Sequence, residues 1–566
     1  MDAERIYQAF LSDARLDAAS RNELISIQND PDEIFDRFRC DLEFGTGGLR
    51  GVLGAGINRM NRYVVRRASL GLARYLLAQG GDAAEKGVAI AYDSRHGSQE
   101  FARESALVLA QSGLRVYLFD GLRPTPELSF AVRRLGAAAG IVITASHNPK
   151  QYNGYKVYGP DGGQITLETA QSVLAEMEKI DMLGVPLMDE AAARAQGLLR
   201  DLGAGMDGEY LSYVLSLRPD PEIAQRTERP FSIVYTPLHG AGTRLVPQAL
   251  SRAGYRQLRV VPRQQIPDGE FPTVQSPNPE NPEAFALARE LARREKADLI
   301  LATDPDCDRL GVMAPKDGDY APLTGNQMGC LMLDYMLSKP HADNAYIVKT
   351  IVTTQMANAI AADQGIPCFE VLTGFKFIGE TIERMRQAGN PNFLLGFEES
   401  YGYLTGTEIR DKDGVIASLL AAETALHWAE KGMSLWDGLE ALYQKYGYFL
   451  EELISITLPG AAGFDKIART LSGLREAPPR EIGGYGVQAV ADYKMGLIMT
   501  AQGSRPTGLP QSNVLRYALS EGGWLCVRPS GTEPKLKIYF GVAQNSRAQA
   551  EQALARLREW ARGLCE

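Results

Sequence analysis

Apolar and polar positions fall in blocks along this chain. Short runs rich in Val, Ile, Leu and Ala stop abruptly at Gly, Asp, Ser or Thr, and stretches with apolar residues at helical spacing follow. The runs read GVAIAYDSR (87–95), GIVITASHNP (140–149), FSIVYTPLHGAG (231–242), DLILATDPDCDR (298–309) and NFLLGFEESYG (392–402). Each has the length and composition of a buried strand, and strands alternating with helices imply α/β domains. RESALVLAQSGL (103–114), PEAFALARELARREK (282–296) and VIASLLAAETALHWAEKG (415–432) predict core-facing amphipathic helices. The strand-then-polar-loop plan recurs without a strict repeat, which points to related α/β units. After about residue 445 the pattern changes. YFLEELISITLP (448–459) and GWLCVRPSGTEPKLKIYF (523–540) read as strands, and a last helix starts near Ser546, predicting a smaller α+β domain. Ligands of open α/β sheets gather at the carboxyl ends of strands, and all the polar clusters lie at such ends.

At 566 residues the chain is too long for one core and should divide into about three to five domains. With 45% hydrophobic and 23% charged residues it should fold throughout. A formal charge of −9 leaves no global basic field, so neither nucleic acid nor an anionic membrane is an expected partner, and any anion must be caught locally. Cys40, Cys307, Cys330, Cys368, Cys526 and Cys565 are scattered with no CxxC pair, which suits a reduced cytoplasm. The N-terminal MDAERIYQAFLSDARLD has no apolar core of signal-peptide length, and nowhere do about 18 apolar residues run uncharged. A cytoplasmic enzyme is expected.

Candidate chemistry sharpens that class. In DPDCDR, Asp304, Asp306 and Asp308 alternate with other residues, and an extended backbone would point all three carboxylates to one side. A hard divalent cation relieves their repulsion, and oxygen ligation without histidine suits Mg²⁺ over zinc. An EF-hand is excluded, because loop positions six and twelve hold Arg309 and Pro315 rather than Gly and Glu. The competing reading, a solvated acidic turn, is disfavoured by the apolar DLILAT directly before it. RPSGTEPK (528–535) combines two cations, two hydroxyls and a glycine, and reads equally as a phosphate cradle or as a Pro-Ser-Gly hairpin turn. GFEESYG (396–402) offers Glu398, Glu399 and Ser400, whose adjacent carboxylates should diverge and suit sugar hydroxyls or a plain polar turn. In LTGFKFIG (372–379), Lys376 is an anion contact or a solvated lysine at a helix start. Ser146 lies beside His147, with Lys156 further on and Arg50 in FGTGGLRG (44–51). TASHN is not a nucleophile elbow, so a hydrolase triad is rejected. By itself Ser-His reads as a helix cap; beside a metal site and a phosphate cradle, the serine reads as a phosphoryl carrier.

FGTGGLRG, TASHNP, NGYKVYGPDGGQ, DPDCDR, TGFKFIG, GFEESYG and RPSGTEPK stand here in the order of the α-D-phosphohexomutase family. The chain resembles its phosphoglucomutase/phosphopentomutase branch over nearly its whole length. The resemblance implies three related α/β domains around a central cleft plus a smaller C-terminal α+β domain. We set these at 1–205 with the phosphoserine loop, 206–322 with the metal loop, 323–445 with the sugar loop and 446–566 with the phosphate loop. It also implies that Ser146 is the phosphoserine and, through its phosphate, a Mg²⁺ ligand with Asp304, Asp306 and Asp308. Arg309, Thr373, Gly374, Lys376, Glu398 and Ser400 would contact substrate, and Arg528, Ser530, Gly531, Thr532 and Lys535 would grip its non-reacting phosphate. His147, Lys156 and Arg50 would surround the phosphoserine, Lys156 moving the proton. The implied reaction interconverts glucose 1-phosphate and glucose 6-phosphate through glucose 1,6-bisphosphate. GFEES favours glucose over glucosamine; the longer insertions and FGTGGLRG keep a phosphopentomutase as the alternative, and a non-catalytic sugar-phosphate sensor is a further one.

Overall fold

A computed structural model of the chain describes residues 3–45, 47–227, 229–458, 461–530 and 535–564. Three times the same succession is laid down: strand, helix, strand, helix, strand, then a strand returning antiparallel. The first unit uses strands Val88–Tyr92, Val116–Phe119, Ala139–Ile143 and Tyr152–Tyr158, with helices Ser98–Gln111 and Thr125–Leu135. The second uses Ser232–Thr236, Gln257–Val260, Leu299–Thr303 and Leu310–Lys316, with helices Gly242–Arg252 and Ala286–Glu295. The third uses Tyr346–Thr350, Cys368–Val371, Phe393–Glu398 and Gly402–Leu404, with helices Met356–Asp363 and Phe375–Gln387. In every sheet the four strands lie side by side in the order fourth, third, first, second. The recurrence hinted at by the sequence is thus a recurrence of topology.

The first and third strands of each unit are parallel neighbours with helices to either side, so their side chains are largely buried on both faces and their sequences are mostly apolar, although Tyr346–Thr350 also buries Lys349, paired with Glu370 at 2.9 Å. Strand order reverses between these two strands, and the crevice this opens lies at their carboxyl ends. The polar loops at 93–95, 144–148, 304–309 and 399–401 all leave from there.

Two helix expectations need correction. Gly414–Glu430 is not amphipathic: it is buried on nearly every side, packed between helices Gly242–Arg252 and Gly325–Leu337, and ties the second unit to the third. The stretch at 282–296 divides into a 3₁₀ turn, Pro282–Phe285, and an α-helix, Ala286–Glu295, which Lys296 ends at φ 52°.

The C-terminal part is the expected α+β domain, an eight-stranded sheet with helices Ala461–Glu476 and Arg547–Gly563, the latter capped by Ser546. Its Trp524, Cys526 and Tyr539 pack against Ile351, Val352 and Leu372 of the third unit, turning the Arg528 end of the sheet toward the crevice. Ahead of the first unit, helices Ala3–Ser12, Ala18–Ser26 and Pro31–Phe38 close a small core of Tyr7, Phe10 and Phe38 against Tyr63. Among the described residues, no helix is long and apolar enough to cross a membrane.

Candidate active site

Ser146 sits in the loop that leaves strand Ala139–Ile143, with φ 51°, a left-handed conformation costly for a residue other than glycine. Local bonds hold it there. Its backbone N–H donates to Thr144 Oγ1 at 2.8 Å, and that hydroxyl donates to the buried Asp93 at 2.6 Å. No helix begins at Ser146, which excludes the cap reading. Its Oγ donates to Asp304 Oδ2 at 2.7 Å and lies 3.3 Å from His147 Nδ1. Burial, then the Arg309 and Arg50 cations, push the His147 imidazole well below its ordinary range, leaving it neutral near pH 7.

The loop 304–309 is not extended, contrary to expectation. It turns tightly, with Cys307 at φ 54°, and the turn gathers the three carboxylates until their ligand atoms lie within 4.8 Å of one another. Asp304 Oδ1 accepts the N–H groups of Asp308 and Arg309, each at 3.0 Å. From the first unit, Thr125 pins the middle of the loop: its N–H donates to the Asp306 carbonyl and its hydroxyl to Asp306 Oδ2, both at 2.9 Å. Lys156 Nζ stands 2.8 Å from Asp306 and 3.5 Å from Asp308, and Lys412 Nζ 3.1 Å from Asp308. Burial, together with Asp306 and Asp308, drives the Asp304 carboxyl well up. Asp306 is desolvated as well, but the Lys156 ammonium outweighs that and holds its carboxyl down. Asp306 Oδ1 and Asp308 Oδ1 are buried and accept no hydrogen bond among the described residues. Three clustered carboxylates with two orphaned oxygens and no imidazole in the set fit a hard divalent cation.

The third unit supplies Glu398 and Glu399, which diverge as expected. Glu398 Oε1 accepts the Gly374 N–H at 2.9 Å, whereas Glu399 Oε2 takes Thr350 and Thr353 hydroxyls at 3.4 Å. Burial, with Glu398 alongside, pushes the Glu399 carboxyl up to about 7. Thr373, Gly374 and Ser400 are partly buried around this pair, Gly374 at φ 117°. Lys376 lies in the first turn of helix Phe375–Gln387 but is only 8% exposed, so the solvated reading fails; its ammonium rests 5.0 Å over the Phe377 ring and faces Glu380. It is not brought to the aspartates.

Arg309 pairs with Glu280 and stands 3.9 Å from Asp308. Arg528 is the penultimate residue of strand Trp524–Pro529, opposite Lys537 on strand Lys535–Gln544, and the Ser530 N–H donates to the Lys535 carbonyl at 2.8 Å. The hairpin reading of RPSGTEPK therefore holds for its flanks; Gly531 and Thr532 lie outside the described residues. Arg50 is exposed on strand Gly48–Val52, its Nη1 3.5 Å from Asn148 Oδ1. That strand lies against Tyr152–Tyr158 so closely that a Cβ on Gly48 would meet the Tyr155 carbonyl oxygen at 2.0 Å.

Four domain descriptions of one family match the chain in order. They are phosphoglucomutase/phosphomannomutase alpha/beta/alpha domain I over residues 41–183, domain II over 208–318, domain III over 324–446 and the C-terminal domain over 480–559. A phosphoglucomutase of Staphylococcus aureus is 38% identical over 513 residues, 90% of either chain. The chain belongs to the phosphoglucomutase/phosphomannomutase family. Among solved structures, a putative phosphomannomutase from Thermus thermophilus superposes with a TM-score of 0.69 at 24% identity, covering 93% of this chain and 99% of that one. The Paramecium phosphoglucomutase pp63/parafusin, in its open form, gives 0.69 at 18% identity over 93% and 95%. Both show the shared four-domain fold. As a member of the phosphoglucomutase/phosphomannomutase family, the protein is an isomerase of the phosphotransferase type.

Several residues of this mutase site gave no usable signal in the sequence. Thr125 meets Asp306 only once the first and second units dock, and Arg95 reaches the carbonyls of Ser146 and Asn148 from far along the chain. Arg410, Asp411, Lys412 and Asp413, a charge run that no motif above includes, are all buried, Asp411 accepting Tyr158 and Gln164 and pairing with Lys412 at 3.0 Å. The mostly apolar helix Gly414–Glu430 that follows is the available clue, since charges leading into a buried helix can be buried with it. Lys537 lies two residues beyond Lys535 on the same face of strand Lys535–Gln544. Burial and Arg528 push the Lys537 ammonium down while Glu280 and Glu399 support it.

Proposed function

We propose that this mutase interconverts glucose 1-phosphate and glucose 6-phosphate through a phosphoserine at Ser146 and a glucose 1,6-bisphosphate intermediate. The observation that carries the reading is the 2.7 Å bond between Ser146 Oγ and Asp304 inside a buried cluster of three aspartates. Ser146 gives its phosphoryl group to the free hydroxyl of the sugar monophosphate: the Ser146 O–P bond breaks, the bond to the sugar oxygen forms, and the hydroxyl proton is released. The returning step takes the other phosphate from the bisphosphate back to Ser146.

Phosphoryl transfer runs on positioning and charge neutralisation, and the side chains divide accordingly. Asp304, Asp306 and Asp308, with phosphorylated Ser146, would hold Mg²⁺, which when bound neutralises charge on the transferring group. Lys156, a buried ammonium whose affinity for its proton Asp306 and Asp308 raise, suits charge stabilisation and proton donation. Neutral His147, beside Ser146 Oγ, is the group able to accept a proton. Glu398 and Ser400 read the sugar hydroxyls; Arg528, Ser530 and Lys537 hold the non-reacting phosphate, with Gly531, Thr532 and Lys535 of the same loop. Arg309, paired with Glu280 and 3.9 Å from Asp308, contacts the substrate as well. The division at 1–205, 206–322, 323–445 and 446–566 is supported by the matched family stretches, which fall within these bounds to one residue.

The preference for glucose is supported by the length of chain shared with the Staphylococcus aureus phosphoglucomutase. Steady-state rates with Mg²⁺ and catalytic glucose 1,6-bisphosphate should give kcat/KM at least ~10-fold higher on glucose 1-phosphate than on ribose 1-phosphate. The reverse order would make the protein a pentose enzyme, and no turnover on either would make it a sensor.

A further inference from the structure

Between strand Gln257–Val260 and the turn Pro282–Phe285, about twenty residues run without regular secondary structure, far above the usual ~4–6 for such a connection. The base of this strap is locked to the second unit. Gln264, fully buried, accepts the Thr236 hydroxyl at 2.7 Å and donates to Thr273 at 3.0 Å, and His239 Nε2 meets Thr273 at 2.8 Å. Its tip reaches the first unit. Gly269 passes so near His96 that a Cβ there would stand 2.7 Å from the His96 nitrogen, and Glu270 bridges His96 and Lys150 at 2.8 and 2.6 Å.

Phe271, at φ 46° and 2% exposed, is set between these contacts with its ring centroid 5.1 Å from the Arg95 guanidinium. Arg95 is itself buried and ion-paired to Asp93 at 3.2 Å. It donates to the carbonyls of Pro149 and Tyr152 at 2.9 and 3.1 Å and to those of Ser146 and Asn148. One guanidinium therefore gathers four carbonyls of the loop that presents Ser146. A buried cation with Phe271 on one face has little freedom to turn. Ser276 adds a bond to the His147 carbonyl at 3.2 Å. Thus the unit that carries the aspartates also holds, from behind, the loop that carries the serine.

We propose that the strap is a positioning device for phosphoryl transfer, with Phe271 acting through Arg95 to keep Ser146 at its distance from Asp304. The inference rests on Ser146 being the phosphoryl carrier, and neither Phe271 nor Arg95 touches substrate. Displacing a reacting group by about 1 Å can cost ~10²-fold in rate, whereas substrate binding, made elsewhere in the crevice, need not change.

The test uses the full chain with Mg²⁺ and glucose 1-phosphate. Phe271→Leu should lower kcat at least ~10-fold with KM within about twofold, and hydrogen exchange should quicken in the peptide covering 144–152 more than elsewhere. Phe271→Tyr, which keeps the ring, should return kcat to within about twofold of the parent. Glu270→Ala, at a half-exposed position that does not endanger folding, should quicken exchange in the same peptide and lower kcat about twofold to fivefold. A Phe271→Leu enzyme with parental kcat, or one that merely melts earlier with exchange at 144–152 unchanged, overturns the proposal, as does a Glu270→Ala enzyme unchanged in both readings. Ser146→Ala measured alongside separates the two failures: if it stays active, the phosphoserine reading falls; if it is dead while Phe271→Leu is normal, only the strap falls.

Discussion

At Ser146 the backbone holds the left-handed region against the preference of the residue, with its N–H held by Thr144 and its Oγ bonded to Asp304. Strain at Ser146, countered by a Thr144–Asp93 relay, is what an over-determined reacting group requires. The aspartates show the complementary economy. Asp304 is satisfied by the backbone of its own loop, while Asp306 and Asp308 each keep one buried oxygen without a partner among the described residues. Mg²⁺ at about 100 times its Kd should therefore stabilise the parent by about 2.7 kcal/mol, read as a shift in thermal unfolding. Asp306→Asn should lose most of that increment and at least ~100-fold in turnover while remaining folded. Equal shifts in parent and variant would remove Asp306 from the cation site.

At the scale of elements, five strands and the loops they end in are legible because a strand buried on both faces is mostly apolar until it leaves the sheet; Tyr346–Thr350, which buries Lys349 within the sheet, is less so. The five quoted apolar runs all became strands, and the reactive groups lie within a few residues of their ends. What periodicity did not convey was how a loop turns. The aspartates converge by a tight turn at Cys307 rather than by strand alternation. Nor could it pair distant residues such as Thr125 with Asp306 or Phe271 with Arg95, since such pairing exists only once the units dock. Helix Gly414–Glu430 shows the same limit: its apolar spacing did not distinguish a helix with one buried face from one buried all round. Asp413 caps that helix, accepting the N–H groups of Val415 and Ile416 at 2.8 and 3.1 Å and the buried Tyr210 hydroxyl at 2.9 Å. Asp413→Ala removes the cap and strands the hydroxyl, so urea unfolding should show a loss of about 2–4 kcal/mol. Asp413→Asn, which keeps an acceptor, should lose less than half of that. A loss below about 0.5 kcal/mol in the alanine variant would mean that the helix needs no cap.

Over the whole molecule, three units of one topology bring three different loops to one crevice, and the C-terminal sheet leans on the third unit. That seam contains a titrating group. Glu451 accepts the Thr354 hydroxyl and, at 3.4 Å, the Asn326 amide, yet burial dominates and pushes its carboxyl from the ordinary 4.5 up to about 7. Between those values the folded chain holds a proton that the unfolded chain has released. The stabilisation is complete below about 4.5 and lost as pH rises through about 7. Melting temperatures from about pH 5 to about pH 8 should fall for the parent relative to Glu451→Gln, whose side chain does not titrate. Parallel profiles would show that the carboxyl is ionised throughout. The central claim, however, concerns the serine where the units meet. Glucose 1-phosphate labelled in its phosphate is mixed with the enzyme, quenched within a turnover, and the peptides are separated. The label should appear on the peptide containing Ser146, pass to unlabelled sugar phosphate on chasing, and be absent from Ser146→Ala. Label that stays with its original sugar during full turnover, or that settles on another residue, would contradict the account.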